Sequence, residues 1–393
     1  MNLSALAETI ETAHFSPVQL ITGRCLHSRS QFAGCTACTG ICPEGAIQPG
    51  KPPVLNAAAC KGCMACVPAC PAGAFQADDA ASNLYASAAR INGPALELIC
   101  RLHPAPQTGL KGMTALQTKT CLAALGPGVY VGLSALGFTD IRLRVDACAK
   151  CRWHALKERI CEQVKAAGGL LAAWHPAGCG SKAAFACVER LDTPVERPLM
   201  QANAPLLSRR DLFRMASRES QSTLVSALNP AERDGQVIQR DRLRLLAAVE
   251  HLPSPQSPEQ ASLRGLNFAT LAVSDDCTAC GACARTCPTG ALIFERDTEK
   301  TRFALAFDPL LCTGCELCAR ACAPDALRVT SAVEFTAVFG RRSVVLQSGE
   351  LVKCMRCGAR MVKRGNAQRC PICEMRAKNP FKVVKMPGSH PPR

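Results

Sequence analysis

Two runs of cysteines with the same spacing, between residues 277 and 322, constrain this sequence more than any other feature. They read CTACGACARTCP and CTGCELCARACAP, and each spaces its cysteines as C-x2-C-x2-C-x3-C. Three thiolates on so tight a loop can hold three irons of one cube, and the small residues between them let backbone N–H groups turn towards the sulfurs. The segment therefore predicts paired iron–sulfur binding loops.

This double run resembles the bacterial two-cluster ferredoxin domain. The resemblance implies two [4Fe-4S] clusters, with the fourth cysteine of each run ligating the other cluster. We name the resulting sets group C (Cys277, Cys280, Cys283 and Cys322) and group D (Cys287, Cys312, Cys315 and Cys318).

The stretch that begins at the fourth cysteine occurs four times, as CPEGAI at 42–47, CPAGAF at 70–75, CPTGAL at 287–292 and the degenerate copy CAPDAL at 322–327. Four copies in two pairs indicate an internal duplication at two levels. The N-terminal pair therefore predicts a second ferredoxin-like domain. Its complete run CKGCMACVPACP supplies Cys60, Cys63 and Cys66, and by the same exchange Cys42 completes group B (Cys42, Cys60, Cys63 and Cys66).

The remaining N-terminal run is incomplete, because its first ligand position holds Phe32. Cys35, Cys38 and Cys70 are left one ligand short, and Cys25 can supply it if residues 26–34 form a loop. The spacing C-x9-C-x2-C-x3-C-P also resembles arrangements in multi-cluster ferredoxin-like subunits. Group A is therefore Cys25, Cys35, Cys38 and Cys70. The alternatives are a [3Fe-4S] cluster with Cys25 as a free buried thiol, and an empty site.

The C-terminal cysteines Cys354, Cys357, Cys370 and Cys373 follow C-x2-C-x12-C-x2-C and form the C-terminal group. Two such pairs close a tetrahedral S4 site, which predicts structural Zn2+ with a single iron as the alternative. The spacing resembles zinc ribbons and, more faintly, rubredoxin.

Residues 351–393 hold eleven Lys and Arg against Glu374 alone. The near absence of aromatic residues for base stacking argues against nucleic acid, and favours a solvated basic face or an acidic partner subunit.

Between the ferredoxin-like pairs, apolar runs such as LELIC (96–100) and DIRLRVDA (140–147) alternate with helix-like stretches. They predict a small parallel α/β unit, in which the carboxyl ends of the strands share one edge. Cys100, Cys121, Cys148 and Cys151, the middle group, could meet there as a [2Fe-2S] site or remain buried free thiols. CLAALGP followed by ACAKC resembles, distantly, the small iron–sulfur subunit of methyl-viologen-reducing hydrogenase. Cys161, Cys179 and Cys187 stay unassigned.

Composition is consistent with a metal-rich chain of 393 residues and 27 cysteines. The N-terminus has no secretory signal pattern and no stretch approaches a membrane span, so we expect a cytoplasmic protein whose thiols bind metals. The formal charge of +15 counts every cysteine as neutral. Four clusters and one zinc site would lower it to roughly +5.

Two other signals are discounted. His154 and His175, each beside a Trp, are expected to be packed rather than catalytic. The segment SRRDLFRMAS (208–217) is interpreted as a surface helix rather than an export signal.

The predicted fold is α+β and multidomain. It comprises a ferredoxin-like 2[4Fe-4S] domain at 20–80, a small parallel α/β domain at 90–190, a helical segment and linker at 191–262, a second ferredoxin-like domain at 263–335 and a zinc ribbon at 345–380.

The sequence shows no nucleotide-binding fingerprint and no catalytic triad or carboxylate pair. We therefore expect a non-catalytic electron-transfer subunit with about four [4Fe-4S] clusters. Its expected setting is a hetero-oligomeric oxidoreductase complex with redox partner proteins, formate dehydrogenase- or hydrogenase-linked. The alternatives are a maturation factor for a metalloenzyme and a redox-sensing regulator.

Overall fold

The computed structural model describes residues 17–78, 80–174, 184–202, 219–229, 237–297, 299, 301–331, 333–340 and 343–378. His175, Cys179 and the 208–217 segment lie outside these residues. The chain divides into two units. Unit 1 contains Met1–Cys25 and Thr36–Leu266, and unit 2 contains Leu26–Cys35 and Asn267–Arg393.

Helices in the described residues are mostly short. They are α1 (Leu26–Arg29), α2 (Ala37–Ile41), α3 (Cys66–Ala69), α4 (Ala80–Ala88), α5 (Pro127–Ala135), α6 (Lys157–Leu171), α7 (Glu219–Ala227), α8 (Arg240–His251), α9 (Ala282–Thr286), α10 (Leu317–Arg320), α11 (Phe335–Phe339) and α12 (Pro371–Lys378). Among the described residues, no helix has both the length and the apolar character that crossing a bilayer requires.

The strands are β1 (Val18–Leu20), β2 (Ile47–Gln48), β3 (Val54–Leu55), β4 (Phe75–Ala77), β5 (Ala95–Ile99), β6 (Thr108–Gly109), β7 (Thr114–Gln117), β8 (Asp140–Arg144), β9 (Ala184–Val188), β10 (Val195–Glu196), β11 (Leu199–Gln201), β12 (Thr270–Val273), β13 (Leu292–Arg296), β14 (Arg302–Phe307), β15 (Leu327–Thr330), β16 (Val344–Lys353) and β17 (Arg360–Val362). Together the elements form a mixed α/β protein.

Unit 1 is built around a five-stranded parallel sheet in the order β11-β7-β5-β8-β9. Its central strand β5 is fully buried at Leu96, Leu98 and Ile99, as expected when a parallel sheet is covered on both faces. Helix α6 packs against β9 and α5, and α8 packs against α5. The N-terminal part of the unit adds two small antiparallel pairs, β1 with β4 and β2 with β3.

The helix-like stretch 121–137 has Pro127 and Gly128 near its middle, where they would interrupt a helix over its whole length, and its helix begins at Pro127. Proline suits the first helical position because its missing N–H would be unsatisfied there anyway. The Asp241 carboxylate, from α8, accepts a hydrogen bond from the Gly128 N–H at 3.1 Å. The apparent interruption is therefore the N-terminus of α5.

The short apolar run LLAAW at 170–174 is not a separate element, because Leu170 and Leu171 form the last turn of α6. A short apolar run has no periodicity that separates a strand from the buried end of a helix. Strands β10 and β11 also fall in the 191–262 stretch for which helices were expected, so the parallel sheet extends to Gln201.

The Pro/Ser-rich stretch 252–262 is held along the end of α6. The N–H groups of Gln256 and Ser257 donate to the Ala173 carbonyl at 2.9 and 3.1 Å, and Ser262 N–H donates to the Gly169 carbonyl at 3.0 Å. This predicted linker is therefore an ordered connection.

Unit 2 contains two antiparallel sheets, β12 with β15 and the four-stranded order β13-β14-β16-β17. Strand β16 has ten residues and serves two partners. Its first part pairs with β14, and Leu351–Lys353 pair with β17. One continuous strand therefore joins the ferredoxin-like hairpin β13–β14 to the C-terminal cysteines.

Candidate metal centres

The three complete cysteine triplets share one unusual backbone conformation. In each C-x-x-C-x-x-C loop, the residues just before and just after the second cysteine have positive φ. These pairs are Gly62 and Met64 (71° and 59°), Ala279 and Gly281 (52° and 69°), and Gly314 and Glu316 (66° and 59°). Backbone in this region turns successive N–H groups into a concave anion-binding surface. The loops are therefore shaped to surround a negatively charged group.

The incomplete run around Cys35 lacks both of the positive-φ residues. Gly34 and Thr36, which flank Cys35, are absent from the positive-φ positions, and Thr36 has a φ of −123°. The loss of the ligand at Phe32 thus accompanies the loss of the loop conformation.

The fourth cysteine of every run is followed by the same turn. The third residue after it has positive φ in all four copies: Gly45, Gly73, Gly290 and Asp325, at 60°, 59°, 71° and 54°. In two copies the fourth residue also donates its N–H to the cysteine sulfur at 3.3 Å, as Ala74 does to Cys70 and Ala326 to Cys322. The degenerate copy at 322–327 therefore keeps the same turn geometry as the other three.

In unit 2, the thiols fall into the sets that the ferredoxin resemblance implies. Burial raises the pKa of Cys283 to about 11, and the neighbouring thiolates of group C add to the rise. Burial likewise raises the pKa of Cys315 and Cys318, and in both the added charge includes Cys287, the fourth cysteine of the first run. This proximity is consistent with an exchange of the last cysteines between the two runs, and the ligand sets of groups C and D stay a prediction.

In unit 1, group B gathers in the same way. Burial raises the pKa of Cys63 and Cys66, and the thiolates of Cys42 and Cys60 raise it further. Sulfurs this desolvated bind a metal cluster more readily than they ionise alone, because the metal replaces the proton.

Group A is divided between the units. Cys25, Cys38 and Cys70 belong to unit 1, where each is buried, whereas Cys35 belongs to the 26–35 segment of unit 2. That segment begins with the one-turn helix α1 and continues as irregular chain, and His27 Nε2 lies 2.8 Å from the Cys35 carbonyl oxygen across it. A cluster held by these four cysteines stays a prediction.

Comparison with known families supports this geometry. Residues 276–326 match the family model for a 4Fe-4S dicluster domain, and residues 53–76 match that for a 4Fe-4S binding domain. The chain contains two 4Fe-4S ferredoxin-type domains. No curated protein matches the chain significantly.

Outside the 4Fe-4S domains, the middle group lies at the carboxyl edge of the parallel sheet. Cys100 directly follows β5, Cys121 follows β7, and Cys148 and Cys151 follow β8. All four line one small pocket. Burial raises the pKa of Cys121 and of Cys148 to about 12, with the thiolates of the group adding to it. The sequence analysis predicted that the four cysteines could meet at this edge, and the structure brings their side chains together there.

A buried ion-pair network borders the middle group, and the sequence analysis did not anticipate it. Glu97 is fully buried on β5 and accepts hydrogen bonds from Arg144 at 2.9 Å and from Arg197 at 2.7 Å. Arg144 also donates to Asp146 at 2.7 Å, and His103 lies 3.3 Å from the same carboxylate. Arg144 and His103 line the cysteine pocket. Single charged residues within apolar strands were the only available signal.

Three further side chains considered in the sequence analysis lie outside the cysteine groups named above. His154 is exposed, so the expectation that it is packed is wrong; its neighbour Trp153 takes the buried place instead. Cys161 and Cys187 are half-buried and hydrogen-bonded to each other between α6 and β9.

The C-terminal group has the geometry of a single-ion site. Its four sulfurs lie within 4.8 Å of one another. Cys357 Sγ and Cys370 Sγ are 3.8 Å apart, close to the spacing of about 3.8 Å that a tetrahedral ion with bonds of about 2.3 Å imposes. Hydrogen bonds from the backbone N–H groups of Cys370 and Cys357 lower the pKa of Cys354 to about 6, which favours the thiolate that binds metal.

Proposed function

We propose that this protein relays single electrons through about four [4Fe-4S] clusters, held by groups A to D, as a non-catalytic subunit of a cytoplasmic oxidoreductase complex. The observation that carries the proposal is the repeated positive-φ loop, present around all three complete triplets and coincident with the two family matches.

Each part of the chain contributes a distinct physical effect to this role. Bound clusters would supply one-electron oxidation and reduction. Backbone N–H groups in the loops stabilise negative charge at the sulfurs, which favours the reduced state. Burial of Cys38, Cys66 and Cys70 keeps water away from those sulfurs.

The proposal extends to the two other cysteine groups. The middle group fits a [2Fe-2S] cluster, since four cysteines line one pocket and burial raises the pKa of three of them, Cys100, Cys121 and Cys148. The C-terminal group fits Zn2+ in a ribbon, with a single iron as the alternative, because both ions accept a tetrahedral S4 site. Redox partner proteins, formate dehydrogenase- or hydrogenase-linked, complete the proposed system.

Anaerobic purification followed by iron, sulfide and zinc quantitation tests this function. The expected content is about 16 irons with about one zinc per chain, and about 18 irons if the middle group holds a [2Fe-2S] cluster. Dithionite reduction should give reversible low-potential EPR signals. Colourless, iron-free protein would contradict the proposal. Clusters that transfer irreversibly to an apo-enzyme would indicate a maturation factor instead.

A further inference from the structure

Glu44 links two groups of cysteines that lie far apart in sequence. It follows Cys42 of group B by two residues, and its carboxylate reaches the residues just after Cys151 of the middle group. Trp153 Nε1 donates to Glu44 Oε1 at 2.7 Å. Arg152 donates through Nε and a terminal nitrogen to the two carboxylate oxygens at 3.0 and 3.1 Å. We call this arrangement of three side chains the clasp.

The clasp is a well-defined contact rather than a loose surface pair. Trp153 is only 3% exposed, and Glu44 accepts three hydrogen bonds. Two-point Arg–carboxylate bonding adds geometric specificity to the interaction.

A second contact joins the same two cysteine groups. Helix α3, which begins at Cys66 of group B, packs against the 3-10 turn Leu122–Ala124, which directly follows Cys121 of the middle group. Two loops of group B therefore meet two loops of the middle group, all within unit 1.

We propose that Glu44, Arg152 and Trp153 are positioning residues that fix the middle group beside group B, so that these two centres exchange electrons directly. The inference rests on the proposed function, since it requires a paramagnetic cluster in each group. Electron tunnelling falls off exponentially with distance, so the separation that this contact maintains between the ligand loops bears directly on the rate of exchange. The proposal makes the middle group the neighbour of group B in the relay.

The test is EPR spectroscopy of the fully reduced, anaerobically purified protein. The native chain should show splitting or relaxation enhancement from spin–spin interaction between the middle centre and the group B cluster. Trp153→Phe keeps the ring but removes the donor, and Glu44→Ala removes the acceptor. Both variants should keep the native iron content and weaken the interaction. Arg142→Gln, which breaks an exposed ion pair on β8 of the same unit, is the matched control and should leave the interaction unchanged.

Two results would overturn the inference while leaving the electron-transfer function intact. One is a middle group that binds zinc or no metal in a protein with its [4Fe-4S] clusters. The other is an undiminished spin–spin interaction in both clasp variants. Loss of all iron from the native protein would instead contradict the proposed function itself.

Discussion

At the scale of single residues, the least expected feature is left-handed backbone at three side-chain-bearing positions, Met64, Ala279 and Glu316. Such a conformation costs about 1 kcal/mol or more for a residue other than glycine, and persists where function requires it. In each triplet, the glycine beside the second cysteine indicated one of the two positive-φ positions from the sequence. The second position was not predictable, because methionine, alanine and glutamate rarely adopt positive φ.

Glu316→Gly should therefore stabilise its loop by about 1 kcal/mol, because glycine adopts a φ of 59° without strain. The midpoint of anaerobic denaturation, followed by cluster absorbance, measures the effect. Glu316→Gln is the control, since it removes the same exposed charge but keeps the strain. Equal midpoints for the two variants would contradict the prediction.

Glu97→Gln should destabilise unit 1 by about 3 to 5 kcal/mol, because it removes the buried carboxylate that pairs with two buried guanidinium groups: Arg197 loses its ion pair, and Arg144 keeps only Asp146. Urea unfolding measures this loss. Asp140→Asn, which breaks an exposed pair with Arg142, should cost at most about 1 kcal/mol. Similar losses in both variants would argue against the buried network.

The same carboxylate predicts a pH dependence. Burial opposes ionisation of Glu97, but the hydrogen bonds from Arg197 and Arg144 outweigh it and lower its pKa below 4.5. A lowered folded-state pKa contributes stability above pH 4.5, and this is lost as the pH falls through the folded value. Urea midpoints of the native chain should fall across this acid range more steeply than those of Glu97→Gln.

At the scale of elements, the sequence was most informative where periodicity or spacing was long. Residues 240–251 were read as a helix and form α8, and the run at 140–147 contains β8. Short elements were harder to predict. The two- and three-residue strands β10 and β11 carry too few side chains to show an alternating pattern, and their place in the sheet depends on pairing with distant strands.

The C-terminal hairpin of β16 and β17 gives a prediction at this scale. Arg364, just after β17, donates to the carbonyl oxygens of Asp275 and Cys277, the latter at 2.9 Å. Cys373→Ser should remove the bound ion, loosen this hairpin and expose the group C loop. Air oxidation should then bleach one [4Fe-4S] cluster faster than the others, while the anaerobic iron content stays native.

Arg364→Gln separates the two effects in that experiment. It should keep the metal of the C-terminal group but accelerate bleaching of the same cluster, because it removes only the contacts to the loop. Metal analysis together with the bleaching rate measures both. Unchanged bleaching in both variants would show that the hairpin does not protect group C.

At the scale of the whole molecule, cysteine ligation changes the electrostatic character of the chain. The formal charge is +15 with neutral thiols, and binding of the four proposed clusters and one zinc ion would lower it to roughly +5. The metal-free protein should therefore migrate faster towards the cathode in native electrophoresis and elute from a cation exchanger at higher salt. Coincident elution of the loaded and metal-free forms would contradict this count of ligated thiolates.

The shared strand β16 also protects the ferredoxin-like hairpin. Its pairing with β14 covers the outer edge of Arg302–Phe307. A truncation before β16 would expose an unpaired edge rich in apolar residues, and such edges recruit strands from other copies. The C-terminal segment therefore guards solubility as well as carrying cysteines, and its removal should invite aggregation.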